Sequence, residues 1–430
     1  MSSPVSKPRR SRRLAPGHCG RSRGSGGVTG LCPEPLRTFP PGYLDLEDRP
    51  KTLDARPGEA AVATFIGSEI YRGSRYGRLH PLSIERVPAV IDLCRALGWL
   101  PEAQWRVSPR AKPAALTGFH APRYVAALQA AEAAGTVSEE VRQRHGLGTL
   151  SNPVFPEMYR RPATAVGGGL LAAEIVGAQG GTVFNPGGGT HHALADRASG
   201  FCFLNEPVLT IRHLLSLGMR RVAYVDIDAH HGDGVEIAFD GSEQVRVISV
   251  HEARRWPFTG ALADRAGGAA FNMPVPREFN DTEFALVLEE MILPAVAAFQ
   301  PDAIFLQCGA DAVLEDPLAR LALSNRSHAR AAAALRGLAP ALIVSGGGGY
   351  NPWSAPRCWS LVWATLSGRA VPERLPEAAQ AVLRRQVWAR KGRPSEALLT
   401  TLRDAPREGP VRGDVREGVR LLRERLRAEH

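Results

Sequence analysis

Three carboxylates and two imidazoles lie in the segment Val225 to Gly234, which reads VDIDAHHGDG and follows a single apolar run. Buried carboxylates are costly unless they are paired or bound to a metal, so this pattern is hard to explain by packing alone. On an extended chain alternate residues point the same way, which predicts that Asp226, Asp228 and His230 share one face. Carboxylate oxygen and imidazole nitrogen together suit zinc or another first-row divalent ion. Taken by itself, the segment fits an ion-paired strand end equally well.

Three other segments place reactive side chains beside glycine-rich backbone. NPGGGTHH ends in His191 and His192, and imidazole is the side chain that exchanges protons near neutral pH. LQCGAD puts Asp311 directly after an apolar run. In SGGGGYN, a glycine run lets the Tyr350 hydroxyl approach closely from a turn. These segments favour a metal-dependent active site over a structural ion pair.

The elements that must position these groups alternate between short apolar runs and longer helical patterns, which is typical of βαβ units around a parallel sheet. The predicted strands are Val62 to Ile66, Gly181 to Phe184, Val222 to Ile227, Val245 to Val250, Ala303 to Gln307 and Ala341 to Val344. The predicted helices are Ile84 to Leu97, Ala163 to Val176, part of Ala193 to Leu217, Asp281 to Phe299 and Arg326 to Leu338. The reactive segments follow apolar runs, where open α/β sheets bind their ligands.

The motifs THHA, GFCFLN, DIDAHHGDG, GAD and GGGGYN occur here in the order found in the histone deacetylase superfamily, which this chain resembles over about residues 61–376. GTLSNPVFPEMY at 148–159 and the stretch 350–375 are most similar to the bacterial acetoin utilization type. The resemblance implies an arginase/deacetylase-like three-layer α/β fold with a mostly parallel eight-stranded sheet flanked by helices. It also implies zinc-dependent hydrolysis of acetyl or related acyl groups from lysine side chains.

Site roles follow from the same resemblance. Three residues match the zinc ligands and leave coordination open for water and substrate; the same ligands accept Fe²⁺. They are Asp228, His230 and Asp311. The catalytic group consists of paired histidines, a carboxylate partner for each and an oxyanion donor. These are His191 with Asp226, His192 with Asp233, and Tyr350. A carboxylate on the far ring nitrogen fixes the histidine tautomer.

Other roles implied by the resemblance concern the substrate tunnel and a structural potassium ion. The tunnel residues are Gly200, Phe201, Trp256 and Leu318, with core packing as the alternative for Trp256. The potassium ligands are Asp226, Asp228, His230, Ser249 and Val250. Arg86 matches an inner-channel arginine that could accompany product acetate, with a helix-surface arginine as the alternative.

The expected substrate is an acylated lysine of a protein, and the acetoin utilization likeness suggests a metabolic enzyme such as an acyl-CoA synthetase. Ser151 stands where many members carry a rim aspartate that fastens a peptide backbone, which leaves an acetylpolyamine or other small N-acyl amide as the alternative. A two-manganese arginase-type enzyme would need further bridging Asp residues that the sequence does not contain. A rival of a different class is a non-catalytic protein that binds nucleic acid through a basic tail.

The formal charge of +10 is concentrated at the start, where residues 1–40 hold eight Lys or Arg and one acid, Glu34. We predict a disordered basic tail over 1–60, a catalytic domain over 61–376 and a polar, partly helical extension over 377–430. In the extension, Val415, Val419, Leu422 and Leu426 recur at helical spacing.

Six cysteines without C-x-x-C spacing favour a reducing compartment, and no apolar run reaches bilayer length. We therefore expect a soluble cytoplasmic enzyme.

Overall fold

The computed structural model describes Tyr43, residues 62–389 and residues 392–429. Its centre is one parallel sheet of eight strands in the order β2-β1-β3-β8-β7-β4-β5-β6. The strands are β1 Thr64–Gly67, β2 Trp105–Val107, β3 Gly181–Asn185, β4 Val222–Asp226, β5 Val245–Glu252, β6 Ala270–Val275, β7 Ala303–Gln307 and β8 Ala341–Ser345. The predicted α/β fold with eight strands is confirmed, and every strand pair is parallel. The basic tail predicted for 1–60 lies outside the described residues, Tyr43 excepted.

Helices cover both faces of this sheet, because parallel strands are joined by crossovers that return over a face. In chain order they are α1 Arg86–Ala96, α2 Pro113–Leu116, α3 Pro122–Ala134, α4 Glu139–His145, α5 Arg160–Gln179, α6 Glu206–Ser216, α7 Asp233–Ala238, α8 Asp281–Val287, α9 Leu293–Phe299, α10 Asn325–Leu335, α11 Ser354–Ser367, α12 Glu377–Arg384, α13 Glu396–Thr400 and α14 Gly413–Ala428. None of the described helices is both long and apolar enough to cross a bilayer.

Helix α5 is buried along most of its length and approaches the backbone beside β2 very closely. A Cβ atom on Gly167 would lie 1.9 Å from the carbonyl oxygen of Pro109. Only glycine allows this contact, which packs α5 directly against the segment that follows β2.

The helix predicted for Asp281 to Phe299 is present as one continuous helical stretch, but its geometry is not α-helical throughout. A π-helical turn over Leu288–Ile292 separates α8 from α9. Pro294 has no N–H to donate to the carbonyl of Glu290 four residues earlier, so the regular α-helical ladder cannot continue through this point. At the other end, Asn280 and Glu283 form a reciprocal capping box that starts α8.

The C-terminal segment packs into the same core as the sheet. Leu383, Leu402 and Val415 are buried with residues of β6 and α11 in one apolar cluster. Arg357 of α11 and Asp404 form a buried ion pair, with Nη1 and Oδ1 2.6 Å apart. The predicted helix through Val415 is present as α14, so the residues after 376 contribute to the folded domain. The four cysteines within the described residues are buried free thiols.

Candidate metal centre and active site

The loop after β4 carries the densest group of polar side chains. The strand ends at Asp226, and the extended conformation predicted as far as His230 is wrong. The chain bends because Asp226 Oδ1 accepts the N–H of Asp228 at 3.0 Å, and Asp228 Oδ1 accepts the N–H of His230 at 3.0 Å. The bend points Asp226 toward His191, while Asp228 and His230 turn toward Asp311 at the end of β7.

Three buried residues form a candidate metal centre. One ligand atom each from Asp228, His230 and Asp311 lies within 4.8 Å of the other two. His230 Nδ1 is 2.8 Å from Asp311 Oδ2 and 3.4 Å from Asp228 Oδ1. Gly348 N–H donates to Asp228 Oδ2 at 2.7 Å, and Ala229 N–H donates to Asp311 Oδ1 at 3.0 Å. These backbone donors hold the carboxylates in place around the imidazole.

The donor set fits a divalent cation. Burial and the negative charge of Asp228 raise the pKa of Asp311, as expected where desolvated acids converge, although the neighbouring His230 opposes this shift. A Cβ atom on Gly348 would lie 2.0 Å from Asp311 Oδ2, and one on Gly309 would lie 2.0 Å from Asp228 Oδ2. The glycines of the GAD and GGGGYN motifs therefore create the space in which the carboxylates approach each other. Two carboxylates and one imidazole are a ligand set that suits Zn²⁺.

The adjacent histidines each meet a separate carboxylate. His191 Nδ1 is 2.8 Å from Asp226 Oδ2, and His192 Nδ1 is 2.8 Å from Asp233 Oδ1. Burial lowers the pKa of His191, but the Asp226 and Asp228 carboxylates outweigh it and raise that pKa to about 9. For His192, burial and then the charge of His191 lower the pKa to about 4. The two imidazoles thus occupy different electrostatic environments although they are neighbours in sequence.

An open cleft of about 1200 Å³ leads from solvent to this centre. The four predicted tunnel residues line it together with His192, His230 and Tyr350; they are Gly200, Phe201, Trp256 and Leu318. The Trp256 ring lies 4.6 Å from the His192 ring and is 39% exposed, so core packing is the wrong interpretation for it. Gly200 has a φ of 53°, and a Cβ there would lie 2.3 Å from the Trp256 ring.

Tyr350 reaches the cleft from the loop after β8. Its ring lies edge-on to Phe201 at 5.7 Å, and its backbone N–H donates to Asp316 Oδ2 at 2.6 Å. Asp316 also accepts the N–H of Leu318 at 2.8 Å through Oδ1. The sequence analysis missed Asp316, whose only signal was its position five residues after Asp311.

Arg86 points inward, so the helix-surface interpretation is wrong. Its Nη1 donates to the carbonyl of Gly347 at 2.6 Å and to that of Gly349 at 3.3 Å. It borders a small cavity of about 50 Å³ that Tyr350, His191 and His192 also line. This placement is compatible with the inner-channel role, which stays a prediction.

His120 is a further buried support that sequence reasoning missed. Its Nδ1 lies 3.0 Å from the carbonyl of Leu194, and its Nε2 accepts the N–H of Asn205 at 2.9 Å. Asn205 in turn donates to the carbonyls of His191 at 3.1 Å and Ala193 at 2.9 Å. Asn205 lies within the GFCFLN motif, whereas no local pattern marked His120.

The potassium site stays a prediction. Asp226 and Ser249 are register partners in neighbouring strands β4 and β5, and Val250 follows in β5. The other two predicted ligands, Asp228 and His230, lie on the loop that continues from β4. The five residues are therefore placed on adjoining segments.

Comparisons of sequence and of structure with known proteins agree with one another. Residues 80–366 match the histone deacetylase domain. The chain is 34% identical over 310 residues to putative histone deacetylase 2 of Caenorhabditis elegans, covering 70% of this chain and 61% of that protein. It is 33% identical over 320 residues to the acetoin utilization protein AcuC of Bacillus subtilis, covering 71% of this chain and 82% of that one. A crystal structure of an HDAC homolog from Aquifex aeolicus superposes with a TM-score of 0.80 at 34% identity, covering 84% of this chain and 100% of that chain.

Proposed function

The chain belongs to the histone deacetylase family, with a likeness to its acetoin utilization members, and we propose that it is a zinc-dependent deacylase acting on N-acylated lysine side chains. The observation that carries this proposal is the convergence at one cleft of the Asp228–His230–Asp311 cluster, a carboxylate-supported histidine and Tyr350. These are the parts that hydrolysis of an amide needs: a metal centre, a proton acceptor and a donor for the developing oxyanion.

The proposed metal is held by Asp228, His230 and Asp311. Zn²⁺ bound there supplies a Lewis acid that polarises the amide carbonyl and lowers the pKa of a water molecule. Fe²⁺ is the alternative metal, because the same oxygen and nitrogen donors accept it.

His192 is the proposed general base. It borders the substrate cleft directly, whereas His191 is packed behind it and contacts only the inner cavity. Asp233 accepts a hydrogen bond from His192 Nδ1–H, which leaves Nε2 unprotonated and able to take a proton from the attacking water. His191, oriented by Asp226, is then placed to stabilise the charge that develops beside it.

Tyr350 is the proposed oxyanion donor. Burial raises the pKa of its hydroxyl well above the ordinary value, so the hydroxyl keeps its proton at neutral pH. A neutral phenol can donate a hydrogen bond to the carbonyl oxygen as negative charge accumulates there. The leaving amine takes a proton from the histidine pair, which returns the site to its starting protonation state.

The proposed substrate is an acyl-lysine of a protein, because the cleft is open and two aromatic side chains, Phe201 and Trp256, are among its lining residues. Three further parts of this proposal rest on the likeness to the family: a metabolic enzyme such as an acyl-CoA synthetase as the natural target, a structural potassium ion and a cytoplasmic location. An N-acetylated polyamine is the competing substrate class.

The test is a panel of substrates given to the zinc-loaded full chain. Acetyl-, butyryl- and longer acyl-lysine peptides are compared with N-acetylated polyamines by release of free carboxylate. Turnover of acyl-lysine peptides with higher kcat/KM than polyamines supports the proposal. Preference for polyamines would change the proposed substrate class. Failure to hydrolyse either class would contradict the proposed hydrolysis.

A further inference from the structure

Arginine side chains dominate the outer part of the substrate cleft. Four of them line it, whereas Glu252 and Asp414 are the acids among its lining residues outside the metal cluster. The arginines are Arg254, Arg255, Arg277 and Arg320. The outer cleft is therefore richer in positive than in negative charge before any substrate enters.

Glu252 is already occupied by its neighbours. Arg255 holds it with two hydrogen bonds, Nη2 to Oε1 at 2.7 Å and Nε to Oε2 at 2.8 Å. The backbone N–H of Arg320 adds a third bond to Oε2 at 2.7 Å. The carboxylate is also buried, so the Arg255–Glu252 pair is a neutral, fixed part of the wall.

The other three arginines are exposed and retain their charge for a ligand. Within residues 62–389 and 392–429, neither Arg254, Arg277 nor Arg320 forms an ion pair with an acid. Among the described residues, the Arg320 guanidinium donates only to the carbonyl of its neighbour Ala319, at 2.8 Å. The one remaining acid, Asp414, has Oδ1 engaged by the N–H of Val415 at 2.9 Å. Three free guanidinium groups thus face one partly satisfied carboxylate.

Ser151, which also lines the cleft, does not counter this charge, because its side chain is neutral and exposed. A cleft lined by one sign of charge raises the local concentration of ligands of the opposite sign. Guanidinium groups match carboxylates with paired hydrogen bonds, which gives orientation as well as attraction. A cationic polyamine or a lysine-rich peptide is repelled by the same groups.

We propose that the cleft selects acyl-lysine in an acidic peptide context, with Arg254, Arg277 and Arg320 binding aspartate or glutamate side chains that flank the acylated lysine. Because these arginines and the proposed catalytic groups line one cleft, we expect the flanking acids to lie close to the acylated lysine in the peptide sequence. This inference rests on the proposed function and names the substrate class of that site.

The test compares three acetyl-lysine peptides of equal length. The acidic peptide has Asp and Glu beside the acetyl-lysine, the neutral peptide has Ser and Gln there, and the basic peptide has Lys and Arg. Their equilibrium binding to the zinc-loaded Tyr350→Phe full chain is measured by fluorescence anisotropy, and their kcat/KM is measured with the wild-type chain. We expect the acidic peptide to exceed the neutral one about tenfold in affinity, the basic one to bind weakest, and the differences to shrink at high salt.

Charge-removing variants assign the effect to the cleft. The Arg254→Gln/Arg277→Gln double variant should reduce the acidic-to-neutral affinity ratio toward one. Arg336→Gln removes an exposed arginine at the end of α10, away from the cleft lining, and should leave the ratio unchanged. Equal binding of the three peptides, a preference for the basic one, or an equal effect of Arg336→Gln overturns the inference. Absence of turnover with every peptide contradicts the proposed function, whereas the binding ratios still decide the charge preference.

Discussion

Asp316 ties the backbone of Tyr350 to that of Leu318, accepting the first N–H at 2.6 Å and the second at 2.8 Å through its two carboxylate oxygens. The side chain is buried, and burial together with the charge of Asp311 raises its pKa well above the ordinary value. One side chain therefore sets the position of the proposed oxyanion donor and of a cleft wall.

We predict that Asp316→Ala lowers kcat about ten- to hundredfold, because groups that orient reactive residues usually contribute on this scale. Asp316→Asn, which keeps one acceptor oxygen, should recover part of the loss. The measurement is steady-state kinetics on an acetyl-lysine peptide, with KM changing less than kcat. Glu315→Gln is the matched control, since that adjacent acid instead pairs with Arg407 at 2.7 Å. Equal losses in Asp316→Ala and Glu315→Gln would show a general loss of structure instead of a positioning role.

Reactive residues that follow central strands could be predicted from the sequence. Residues that are positioned by tertiary contacts were harder to predict. β4 and β7 are uninterrupted apolar runs, so their ends, and with them Asp226 and Asp311, could be placed in advance. β6 was missed because Asn272 and Pro274 interrupt its apolar pattern, and proline is tolerated there since β6 is an edge strand. The edge strand β2, of three residues, is too short to leave a pattern.

His120 and Asp316, which hold other residues of the site in place, could not be predicted from the sequence for a different reason. His120 contacts Asn205, 85 positions away, and Asp316 contacts Tyr350, 34 positions away. No local periodicity reports such a contact. Trp256 could not be assigned to the core or the cleft from its type, because a large aromatic ring suits both and only the conformation of its loop decides.

Removal of a metal ligand should abolish metal binding without unfolding the chain. We predict that Asp311→Ala loses stoichiometric zinc, measured by elemental analysis, and loses the rise in Tm that zinc produces in the wild-type protein. A ligand at a hundred times its Kd stabilises the folded state by about 2.7 kcal/mol, which is readily detected. Asp240→Asn, a change of an exposed aspartate outside the cluster, should keep both properties. Retention of stoichiometric zinc by Asp311→Ala would contradict the proposed ligand set.

His120 should make the stability of the protein depend on pH. Burial lowers its pKa to about 4 in the folded chain, compared with 6.5 for an unperturbed histidine. Between these values the unfolded state binds a proton that the folded state excludes, so stability falls as pH decreases below 6.5 and is unaffected by this group above it. The contribution amounts to about 2 kcal/mol between pH 7 and 5.

Chemical denaturation of the wild type and His120→Gln at these two pH values measures this effect. The variant is less stable at pH 7 because the bond from the Asn205 N–H is altered, but it should lose less stability on acidification than the wild type. Identical pH dependence in the two proteins would exclude His120 as the titrating group.

The C-terminal segment should be necessary for folding. Arg357 and Asp404 are both buried, and removing one partner leaves an uncompensated charge. We predict that Asp404→Ala lowers the free energy of unfolding by about 3 to 5 kcal/mol. Glu396→Ala removes the exposed partner of Arg384, at 3.6 Å, and should cost less than about 1 kcal/mol. Truncation after Pro376 should prevent folding. A stable, active 1–376 fragment would instead support the catalytic domain boundary at residue 376 that the sequence predicted.

Hydrolysis at a zinc centre is most directly tested by acetate release from an acetyl-lysine peptide, measured for the zinc-loaded chain, for the same chain stripped by chelator and for Tyr350→Phe. We predict that zinc restores turnover to the stripped chain and that kcat falls by about 10² to 10³ in the variant, the usual cost of losing one oxyanion donor. Turnover that survives chelation, or that Tyr350→Phe leaves unchanged, would contradict it.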